Sequence, residues 1–479
     1  MKKGEVLKLD IESYAFEGKG IAKIPFDDEE LAASGKKFVV FVHGSYPGDK
    51  VKAQIRRKKR SYAEAKVEEV IVASEDRTEA KCSYFGTCGG CKQQDLKYDV
   101  QLKYKTEQVR DSFERLAGIE DFEMEPIIPS EKIFFYRNKM EFSFADKRWL
   151  TKEEIGQSEE IQNRNFALGL HIPRIFDKVL DLNECFLQSE ESNKILNFTR
   201  DFFKSKNASI FSTKTHEGYL RHLVIKQASR TDDLMVNLVT SSQNDEWMKE
   251  YADELLKVVP SITTVINNIN EKKSQTAYGD YEIVYHGDGY IYDYIGEYKF
   301  RISANSFFQT NTTQAANLYQ IALDYAELKG DEVVYDLYSG AGTISIYVSK
   351  NAKHVYAFES VDSSIQDAHV NNGLNNIENV THIQADLNKS FIPIVDKMSV
   401  PKPDLILLDP PRAGMNPKTI NDIIKLDPPK IVYVSCNPTT QARDVKLLSE
   451  AGYKLLKMRP VDMFPHTYHI ENVAVLIKE

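Results

Sequence analysis

Thiol groups are the most reactive side chains of this 479-residue chain, and their spacing is uneven. Cys82, Cys88 and Cys91 lie close together in the sequence, whereas Cys185 and Cys436 stand apart. An odd number of cysteines, behind an N-terminal stretch without an apolar segment, argues against a secreted disulfide framework and favours a reducing compartment. Clustered thiols in such a compartment indicate a metal or cluster site, and a site with four thiolate ligands would leave one of the five cysteines for another task.

Cys436 follows the strand-like run IVYVS, within the motif SCNP. A single cysteine at such a place is more often a small buried apolar residue than a nucleophile. A second strand-like run, DLILLD, leads into Asp409 and two prolines, which fix the shape of the loop. Because chemistry gathers at the carboxyl ends of the strands in an open α/β sheet, we expect Asp409 and Cys436 at the same edge.

A glycine-containing loop follows a third strand-like run, VVYDL, directly before a helical segment. Gly340 and Gly342 allow a tight turn and close approach of a ligand to the backbone. Glu359, at the end of the next strand, can accept hydrogen bonds from both ribose hydroxyls of a nucleoside. A glycine turn in a purely structural α/β layer is the alternative interpretation.

The elements that must position these residues change along the chain. From about residue 305, short apolar strands alternate with helices, which predicts a doubly wound parallel sheet closed by an antiparallel pair. Residues 125–300 are rich in strands and aromatic residues, with one helix near 192–206. Residues 1–75 predict a small β unit, and an amphipathic helix follows it and ends at Gly118.

The overall charge does not indicate a nucleic-acid-binding protein, because 62 basic and 71 acidic residues give −9. Charge acts locally, however, and the run from Arg56 to Tyr62 is strongly basic. This run is either a solvated hairpin tip or a phosphate-contacting loop on an OB-like barrel. We find no apolar run near the roughly 18 residues that a membrane span needs, so we expect no membrane partner.

A thiol and a carboxylate at one sheet edge would suit methylation of a pyrimidine carbon. C5 of uracil is a weak nucleophile, but a thiolate that adds to C6 turns the ring into an enolate whose C5 can attack a methyl sulfonium. A base must then remove the C5 proton so that the thiolate can leave. Cys436 fits the first role, and Glu471, which returns from the terminal strands, can fit the second.

The motifs DLYSGAGT, DPPRAG, SCNP and HTYHIENV, preceded by SANSFFQTN, closely resemble the RNA 5-methyluridine (uracil-C5) methyltransferases over essentially the whole chain. The glycine loop with Glu359 and then Asp386 also resembles class I S-adenosylmethionine-dependent methyltransferases, with Asp386 near the adenine. The resemblance implies Cys436 as nucleophile and Glu471 as proton-abstracting base. Ser339 and Thr343 stand where the family sometimes has Cys and Asn, which should alter contacts but not the reaction. The donor contacts implied are Gln309, Tyr338, Gly340, Gly342, Glu359 and Asp409, with Gln309 and Asp409 also close to the target base.

The front end of the chain resembles that of the branch of this family that modifies ribosomal RNA. The basic N-terminal barrel resembles a TRAM domain, and Cys82, Cys88 and Cys91 with Cys185 resemble a four-cysteine iron–sulfur site. The branch that modifies tRNA typically lacks both features, so the resemblance implies 23S rRNA as substrate, as in Gram-positive bacteria. Four thiolates can hold a [4Fe–4S] cluster or, as the runner-up, zinc. Because the reaction needs no redox step, we expect the cluster to be structural.

The resemblance predicts an α/β multidomain protein with three domains, and we expect it to be cytoplasmic and monomeric. Extracting a base from folded RNA requires phosphate contacts and stacking surfaces. For stacking we name Phe307 and Phe308. The candidate phosphate contacts are Arg56–Arg60, Arg137, Lys139, Arg221 and Lys226. The predicted domains are a TRAM OB-like barrel (1–75), a β-rich iron–sulfur domain (76–95 plus 128–304) and a class I, Rossmann-like methyltransferase domain (96–127 plus 305–479).

Several other functions compete with this interpretation. A tRNA uridine-C5 methyltransferase would use the same chemistry. An RNA cytosine-C5 methyltransferase typically carries a cysteine after its DxP segment, where this chain has Arg412, and an amino-group methyltransferase usually has an aromatic residue there. A non-catalytic iron–sulfur RNA-binding factor would not need Cys436 and Glu471. His466 and His469 have zinc-ligand spacing, but we expect ordinary strand or substrate-edge roles for them.

Overall fold

The computed structural model describes residues 1–26, 37–155, 164–173 and 175–479. Short parts of the predicted domain ranges, residues 27–36, 156–163 and 174, lie outside the described residues. Contacts divide the chain into two units. The first comprises residues 1–86, 90–111 and 464–470, and the second comprises residues 87–89, 112–463 and 471–479. The three-domain division inferred from the sequence stays a prediction.

The N-terminal part of the first unit is a six-stranded sheet with the order β1-β5-β6-β4-β3-β2, as expected for a small β unit. Alternate residues of β4, such as Phe38, Val40 and Val42, are buried, which gives the sheet one core-facing side. The basic run from Arg56 to Arg60 is exposed at the end of β5. The strands are β1 (Val6–Asp10), β2 (Ser13–Ala15), β3 (Lys19–Pro25), β4 (Lys37–His43), β5 (Lys50–Lys58) and β6 (Tyr62–Val72).

Helix α1 (Tyr98–Asp111) continues into a π-helical turn (Ser112–Ala117) before Gly118. The predicted amphipathic helix is therefore confirmed, and Gly118 ends it with a φ of 72°, a left-handed conformation that glycine adopts without strain. Within the first unit, Val100 and Tyr104 of α1 pack against Tyr46. The apolar stripe of the helix thus buries itself against the loop after β4.

A seven-stranded sheet with the order β10-β9-β8-β11-β12-β13-β14 forms the central part of the second unit. Helices α3 and α4 pack on each other, joined by a 2.7 Å hydrogen bond between the hydroxyls of Thr199 and Tyr251. The strands are β8 (Lys139–Ala145), β9 (Ala167–Ile172), β10 (Ile175–Asp181), β11 (Leu220–Gln227), β12 (Leu234–Thr240), β13 (Thr264–Ile269) and β14 (Tyr281–His286). The helices are α2 (Lys152–Ile155), α3 (Glu190–Ser205) and α4 (Asp245–Val258).

The prediction of a single helix in this region was incomplete, because the described residues include two further helices, the short α2 and the longer α4. The start signals of α4 are visible in the sequence. The side chain of Asn244 accepts a hydrogen bond from the backbone N–H of Trp247, and Asp245 and Glu246 place negative charge in the first turn. The N-cap residue Asn244 and the acidic first turn are therefore the features of the sequence that indicate this helix.

The C-terminal part of the second unit contains an eight-stranded sheet with the order β19-β18-β17-β20-β21-β23-β22-β7. The first five of these strands run parallel, and β23 and β22 then run antiparallel, which confirms the predicted doubly wound sheet and its closing pair. The strands are β7 (Glu123–Met124), β17 (Val333–Leu337), β18 (His354–Glu359), β19 (Val380–Gln384), β20 (Leu405–Leu408), β21 (Lys430–Ser435), β22 (Tyr453–Val461) and β23 (Glu471–Lys478).

Six helices accompany this sheet, and a two-stranded ribbon precedes it. Every residue of β17 and β20 is buried, as expected for parallel strands that are covered on both faces. Among the described residues, none of the helices has the length and apolar character needed to cross a membrane. The ribbon is β15 (Tyr290–Ile295) and β16 (Tyr298–Ser303), and the helices are α5 (Thr312–Ala326), α6 (Thr343–Ser349), α7 (Asp362–Leu374), α8 (Ile392–Met398), α9 (Pro417–Leu426) and α10 (Pro438–Glu450).

Candidate active site

The candidate site residues meet at one edge of the eight-stranded sheet. Tyr338, Glu359, Asp409 and Cys436 stand at the carboxyl ends of β17, β18, β20 and β21, which are parallel. Glu471 opens β23, which runs antiparallel to β21, so its first residue lies at the edge where β21 ends. Strand direction thus brings together residues that are far apart in the sequence.

We call Cys436, Asp409 and Glu471 the acidic pocket of this edge, because Asp409 acts electrostatically on Glu471 and both carboxyls act on Cys436. Burial raises the pKa of Asp409 to about 7, with a further contribution from the nearby Asp336 charge. Burial, followed by the charge of Asp409, holds the pKa of Glu471 well above its usual range. Near neutral pH, Asp409 therefore has both protonation states available, and Glu471 favours its protonated form more than an exposed glutamate does.

The Cys436 thiol is half-buried in this pocket. Burial raises its pKa to about 12, the charges of Glu471 and Asp409 add to the increase, and the Arg412 cation opposes it. Ionisation of this thiol therefore depends on the protonation of its two acidic neighbours. This matters for reactivity because a thiolate is a far better nucleophile than a thiol. The pocket therefore couples the charge of the thiol to the charges of the carboxyls.

The Glu359 carboxylate is held by backbone N–H groups. One oxygen accepts from Gly340 at 3.0 Å, and the other accepts from the backbone N–H groups of Ser360 at 2.7 Å and Val361 at 2.8 Å. A cleft that is open to solvent lies beside it. The cleft is lined by Tyr338, Glu359, Ser360, Leu387, Asn388, Pro411, Gly414 and Asn416.

The glycine loop has the geometry that close approach of a ligand requires. Gly340 and Gly342 have φ values of 54° and 77°, and a Cβ atom on Gly340 would meet no atom within 4 Å. A Cβ atom on Gly342 would instead lie only 3.0 Å from His382. Tyr338 has a φ of 69°, a conformation that is uncommon for a bulky residue and that marks a strained position beside the cleft.

Several residues that the sequence analysis did not single out hold this loop. Ser345, which stands where a third glycine would complete a nucleotide-binding pattern, donates a hydrogen bond from its hydroxyl to the buried Asp336 carboxylate. Burial raises the pKa of Asp336 to about 6. The Tyr338 hydroxyl is hydrogen-bonded to Thr419, whose own hydroxyl donates to the carbonyl of Leu387 at the cleft wall.

Gln309 reaches the site through Tyr319 of α5. The Tyr319 hydroxyl is hydrogen-bonded to the Gln309 side chain and lies 2.9 Å from the hydroxyl of Thr343, which begins α6. Burial and the nearby Asp409 charge both raise the pKa of Tyr319. Tyr319 therefore links Gln309 to the glycine loop, a role that gives no signal in the sequence.

The loops that carry Asp409 and Cys436 are joined directly. The carbonyl of Arg412 accepts a 3.0 Å hydrogen bond from the Asn437 side-chain amide and a 3.3 Å bond from the Thr440 hydroxyl. Asn437 also caps α10, because its side-chain oxygen accepts from the backbone N–H of Thr439 at 3.1 Å. The motif SCNP thus fixes the DPPR loop as well as the cysteine.

Some sequence predictions were wrong. Arg221 and Lys226 were named as phosphate contacts, but both side chains are buried and donate hydrogen bonds to backbone carbonyls. Burial was not visible in the sequence because both residues lie on a strand whose two faces are covered. The placement of Asp386 near the adenine stays a prediction: its carboxylate forms a 3.0 Å ion pair with Lys389, and the next residues, Leu387 and Asn388, line the cleft.

His466 has an ordinary structural role within the first unit, as expected. Its backbone N–H donates to the side-chain oxygen of Gln101 at 2.9 Å, and its carbonyl accepts from Lys92 and Gln93. The ring nitrogen Nδ1 lies 3.3 Å from the Gln101 amide nitrogen. The histidine thus secures the start of α1.

The four-cysteine site is not confirmed. Cys82 and Cys91 fall in the first unit and Cys88 and Cys185 in the second, and all four are half-buried. Gln94 accepts from the backbone N–H of Cys82 and donates to the Cys91 sulfur, each at 3.1 Å. Across the described part of the chain, no group of three or more His, Cys, Asp or Glu side chains is arranged to hold a metal ion.

Comparison with known proteins decides the family. Residues 221–479 match the family model described as tRNA (Uracil-5-)-methyltransferase, and residues 1–67 match the TRAM domain. This chain belongs to the RNA uracil-C5 methyltransferase family. An uncharacterized RNA methyltransferase of Chlorobaculum tepidum is 41% identical, with 99% of this chain and 96% of that protein covered. One of Bacteroides thetaiotaomicron is 42% identical, with 96% and 99% covered.

A solved structure of this family has the same fold. The crystal structure of Pyrococcus abyssi tRNA (uracil-54, C5)-methyltransferase in complex with S-adenosyl-L-homocysteine superimposes with a TM-score of 0.73. It is 28% identical, and the match covers 98% of this chain and 100% of that chain. The expected multidomain α/β fold, with a TRAM domain in front and a class I methyltransferase domain at the end, is confirmed.

Proposed function

We propose that this RNA methyltransferase transfers a methyl group from S-adenosylmethionine to C5 of uridine. The observation that carries the proposal is the placement of Cys436, Asp409 and Glu471 at the same sheet edge as the cleft beside Glu359. A thiol, two carboxyls and a neighbouring cleft for the methyl donor are what C5 methylation of a pyrimidine needs.

The cleft residues fit the methyl donor. The solved relative was crystallised with S-adenosyl-L-homocysteine, the product form of this donor. The Glu359 oxygen that accepts from Gly340 keeps a free lone pair for a ribose hydroxyl, whereas the other oxygen already accepts from Ser360 and Val361. The open space beside Gly340 admits the donor next to the loop backbone. When bound, S-adenosylmethionine supplies a methyl group on a sulfonium.

The proposed reaction uses Cys436 first and Glu471 second. The Cys436 thiolate forms a bond to C6 of uracil and places the electron pair on C5 as an enolate. C5 then takes the methyl group, and the sulfonium becomes the thioether of S-adenosylhomocysteine. Glu471 removes the C5 proton, the C5–C6 double bond forms again, and the C6–sulfur bond breaks to release Cys436.

The electrostatics of the pocket favour this order. A protonated Glu471 favours the thiolate, because the Glu471 charge is one of the causes that raise the pKa of Cys436. Once the sulfur is a neutral thioether, no thiolate charge opposes the ionisation of Glu471, which can then pass its own proton to water and act as the base. Asp409, with a pKa of about 7, has both protonation states available near neutral pH. It can therefore donate a hydrogen bond to the uracil ring or accept one from it.

For the RNA substrate we propose 23S rRNA, with tRNA as the second candidate. The rRNA proposal is supported by the resemblance of the four cysteines to the rRNA-modifying branch. The TRAM domain does not discriminate, because the match to a solved tRNA methyltransferase covers 98% of this chain. The tRNA alternative is supported by the solved relative, which is a tRNA uracil-54 methyltransferase and covers nearly the whole chain. Methylation of separate 23S rRNA and tRNA transcripts, with mapping of 5-methyluridine, decides between them.

The test of the mechanism is a covalent trap. RNA transcripts that contain 5-fluorouridine are incubated with the protein and S-adenosylmethionine. After methyl transfer C5 carries fluorine instead of a proton, so Glu471 has nothing to remove and the adduct persists. We expect a denaturation-stable complex with the wild type and none with Cys436→Ala. Methylation of ordinary RNA without any trapped complex would refute the mechanism, and trapping on 5-fluorocytidine RNA alone would indicate a cytosine enzyme.

We also keep the iron–sulfur site as a proposal, which rests on the spacing of Cys82, Cys88, Cys91 and Cys185 in the sequence. No step of the reaction passes through it. An anaerobic preparation should contain about four irons per chain, as a [4Fe–4S] cluster requires. A colourless preparation with stoichiometric zinc, or with neither metal, would contradict the proposal.

A further inference from the structure

We propose that Lys226 is a positioning residue for the target-base loop, defined as residues 303–309, and that it sets the rate of methyl transfer through the two carbonyls it holds. The proposal rests on the proposed function, because the loop ends at Gln309 in the active site. Lys226 lies on β11 of the central sheet, in the same unit as the catalytic edge.

The contacts of Lys226 with the loop are short and buried. Lys226 is 4% exposed, and its Nζ donates hydrogen bonds to the carbonyls of Ser303 at 2.7 Å and Ser306 at 2.9 Å. Hydrogen bonds from an ammonium are among the stronger ones in proteins. One cation therefore fixes both the first residue of the loop and its midpoint.

If Lys226 served only to fill space, burying its ammonium would cost free energy without any benefit. A buried ammonium loses its hydration, and burial, with the Lys139 charge as a smaller cause, lowers the pKa of Lys226 to about 7. An apolar residue of similar volume would fill the place without that penalty. Only the lysine provides hydrogen bonds to both carbonyls. Ser303 is the last residue of β16, and Ser306 lies outside any helix or strand.

The central sheet holds the loop at two further points. On the side of β8, Asn138 donates from its side-chain amide to the Gln309 carbonyl at 2.7 Å. From β13, Asn268 donates to the side-chain oxygen of Asn305 at 2.8 Å. Together with Lys226 on β11, these contacts make three strands of the sheet a platform for one irregular segment.

The side chains on the loop show what the platform positions. Phe307 is 61% exposed, whereas the next residue, Phe308, is buried against Phe300 with ring centroids 6.0 Å apart. Gln309 then reaches Tyr319 beside Asp409. The exposed aromatic ring and the site amide are thus two residues apart on a segment whose backbone Lys226 immobilises.

Arg221 provides a matched control on the same strand. It is 3% exposed and donates to the carbonyls of Asn270 and Lys272, both at 2.8 Å, and to Ser274. It therefore makes the same kind of contact from an equally buried position, but to residues 270–274 instead of the target-base loop. A purely structural role predicts similar behaviour for the two residues.

The experiment compares Lys226→Met with Arg221→Met. Single-turnover methyl transfer is measured at saturating RNA and donor, on the 23S rRNA or tRNA transcript that the wild type methylates faster. The Kd for S-adenosylhomocysteine and the melting temperature are measured in parallel. For Lys226→Met we expect a rate about 100-fold lower, the size of effect that small misplacement of reacting groups produces, with the Kd unchanged. For Arg221→Met we expect a lower melting temperature and a near-wild-type rate.

Equal rates for the two variants would overturn the proposal, as would a wild-type rate in Lys226→Met. If Lys226→Met fails to fold, Asn305→Ala tests the same platform from the loop side, and a rate equal to the wild type would count against it. Failure of the proposed function is distinguishable, because the wild type itself would then form no 5-methyluridine.

Discussion

The two sides of the active-site edge are built in opposite ways. On the donor side, the Glu359 carboxylate is satisfied by backbone N–H groups of its own and the glycine loop. On the base side, burial raises the pKa values of Cys436, Asp409 and Glu471, and the Asp409 charge raises those of Glu471 and Cys436 further. The first arrangement suits the binding of a neutral ribose. The second keeps reactive groups uncharged until a substrate alters their surroundings.

The comparison predicts that binding and chemistry can be separated by mutation. Cys436→Ala should lower single-turnover methyl transfer by at least about 10⁴-fold, as loss of a nucleophile does in other enzymes, without changing the Kd for S-adenosylhomocysteine. Glu359→Ala should weaken that Kd and leave most of the rate at saturating donor. Calorimetric titration and rapid-quench assays measure the two effects. A Cys436→Ala variant that lost donor binding would break the division.

Glu471→Gln should separate methyl transfer from release. The amide removes the charge that raises the pKa of Cys436, so the adduct should still form and C5 should still be methylated. Release needs a base, and its rate should fall by about 10²- to 10⁴-fold. Denaturing gels on ordinary RNA should therefore show a methylated protein–RNA complex. Multiple turnover at the wild-type rate would show that another group removes the proton.

The link between the two sides can be tested at Tyr319. Tyr319→Phe removes the hydroxyl that joins Gln309 to Thr343, and the loss of this hydrogen bond should lower the methyl-transfer rate by up to about tenfold. Tyr325→Phe is the matched control, because Tyr325 is also buried and lies on the same helix. Equal effects of the two substitutions would point to helix packing instead of the link.

The smallest effect concerns stability and pH. Unfolded, the Asp409 carboxyl ionises near pH 4, whereas its pKa in the folded protein is about 7. Between these values the unfolded state binds fewer protons, so this group makes the folded state progressively less stable as pH rises from about 4 to 7, with no further loss above that. Asp409→Asn should therefore raise the melting temperature at pH 8 but not at pH 4. Parallel melting curves of variant and wild type across this range would contradict the raised pKa.

Basic residues show how far the sequence could be interpreted. Arg56–Arg60 are exposed at a strand end, in keeping with either of the roles considered for that tip. Arg221 and Lys226 look equally basic in the sequence, yet the central sheet buries both. A basic side chain on a strand reaches solvent when its face of the sheet is open. When that face is covered, as it is for Arg221 and Lys226, the side chain binds backbone carbonyls instead. That information lies in residues 270–306, far from β11 in the chain.

The sequence by itself determined the alternation of strands and helices, the glycine loop and the strand-end motifs, because these depend on local periodicity and backbone freedom. From strand direction it also predicted that Asp409 and Cys436 share an edge. Only the tertiary structure decided which side chains support them. Ser345, Tyr319, Thr419 and Lys226 act through hydrogen bonds to residues between nine and eighty positions away. Such contacts are set by the packing of distant elements, which no local pattern records.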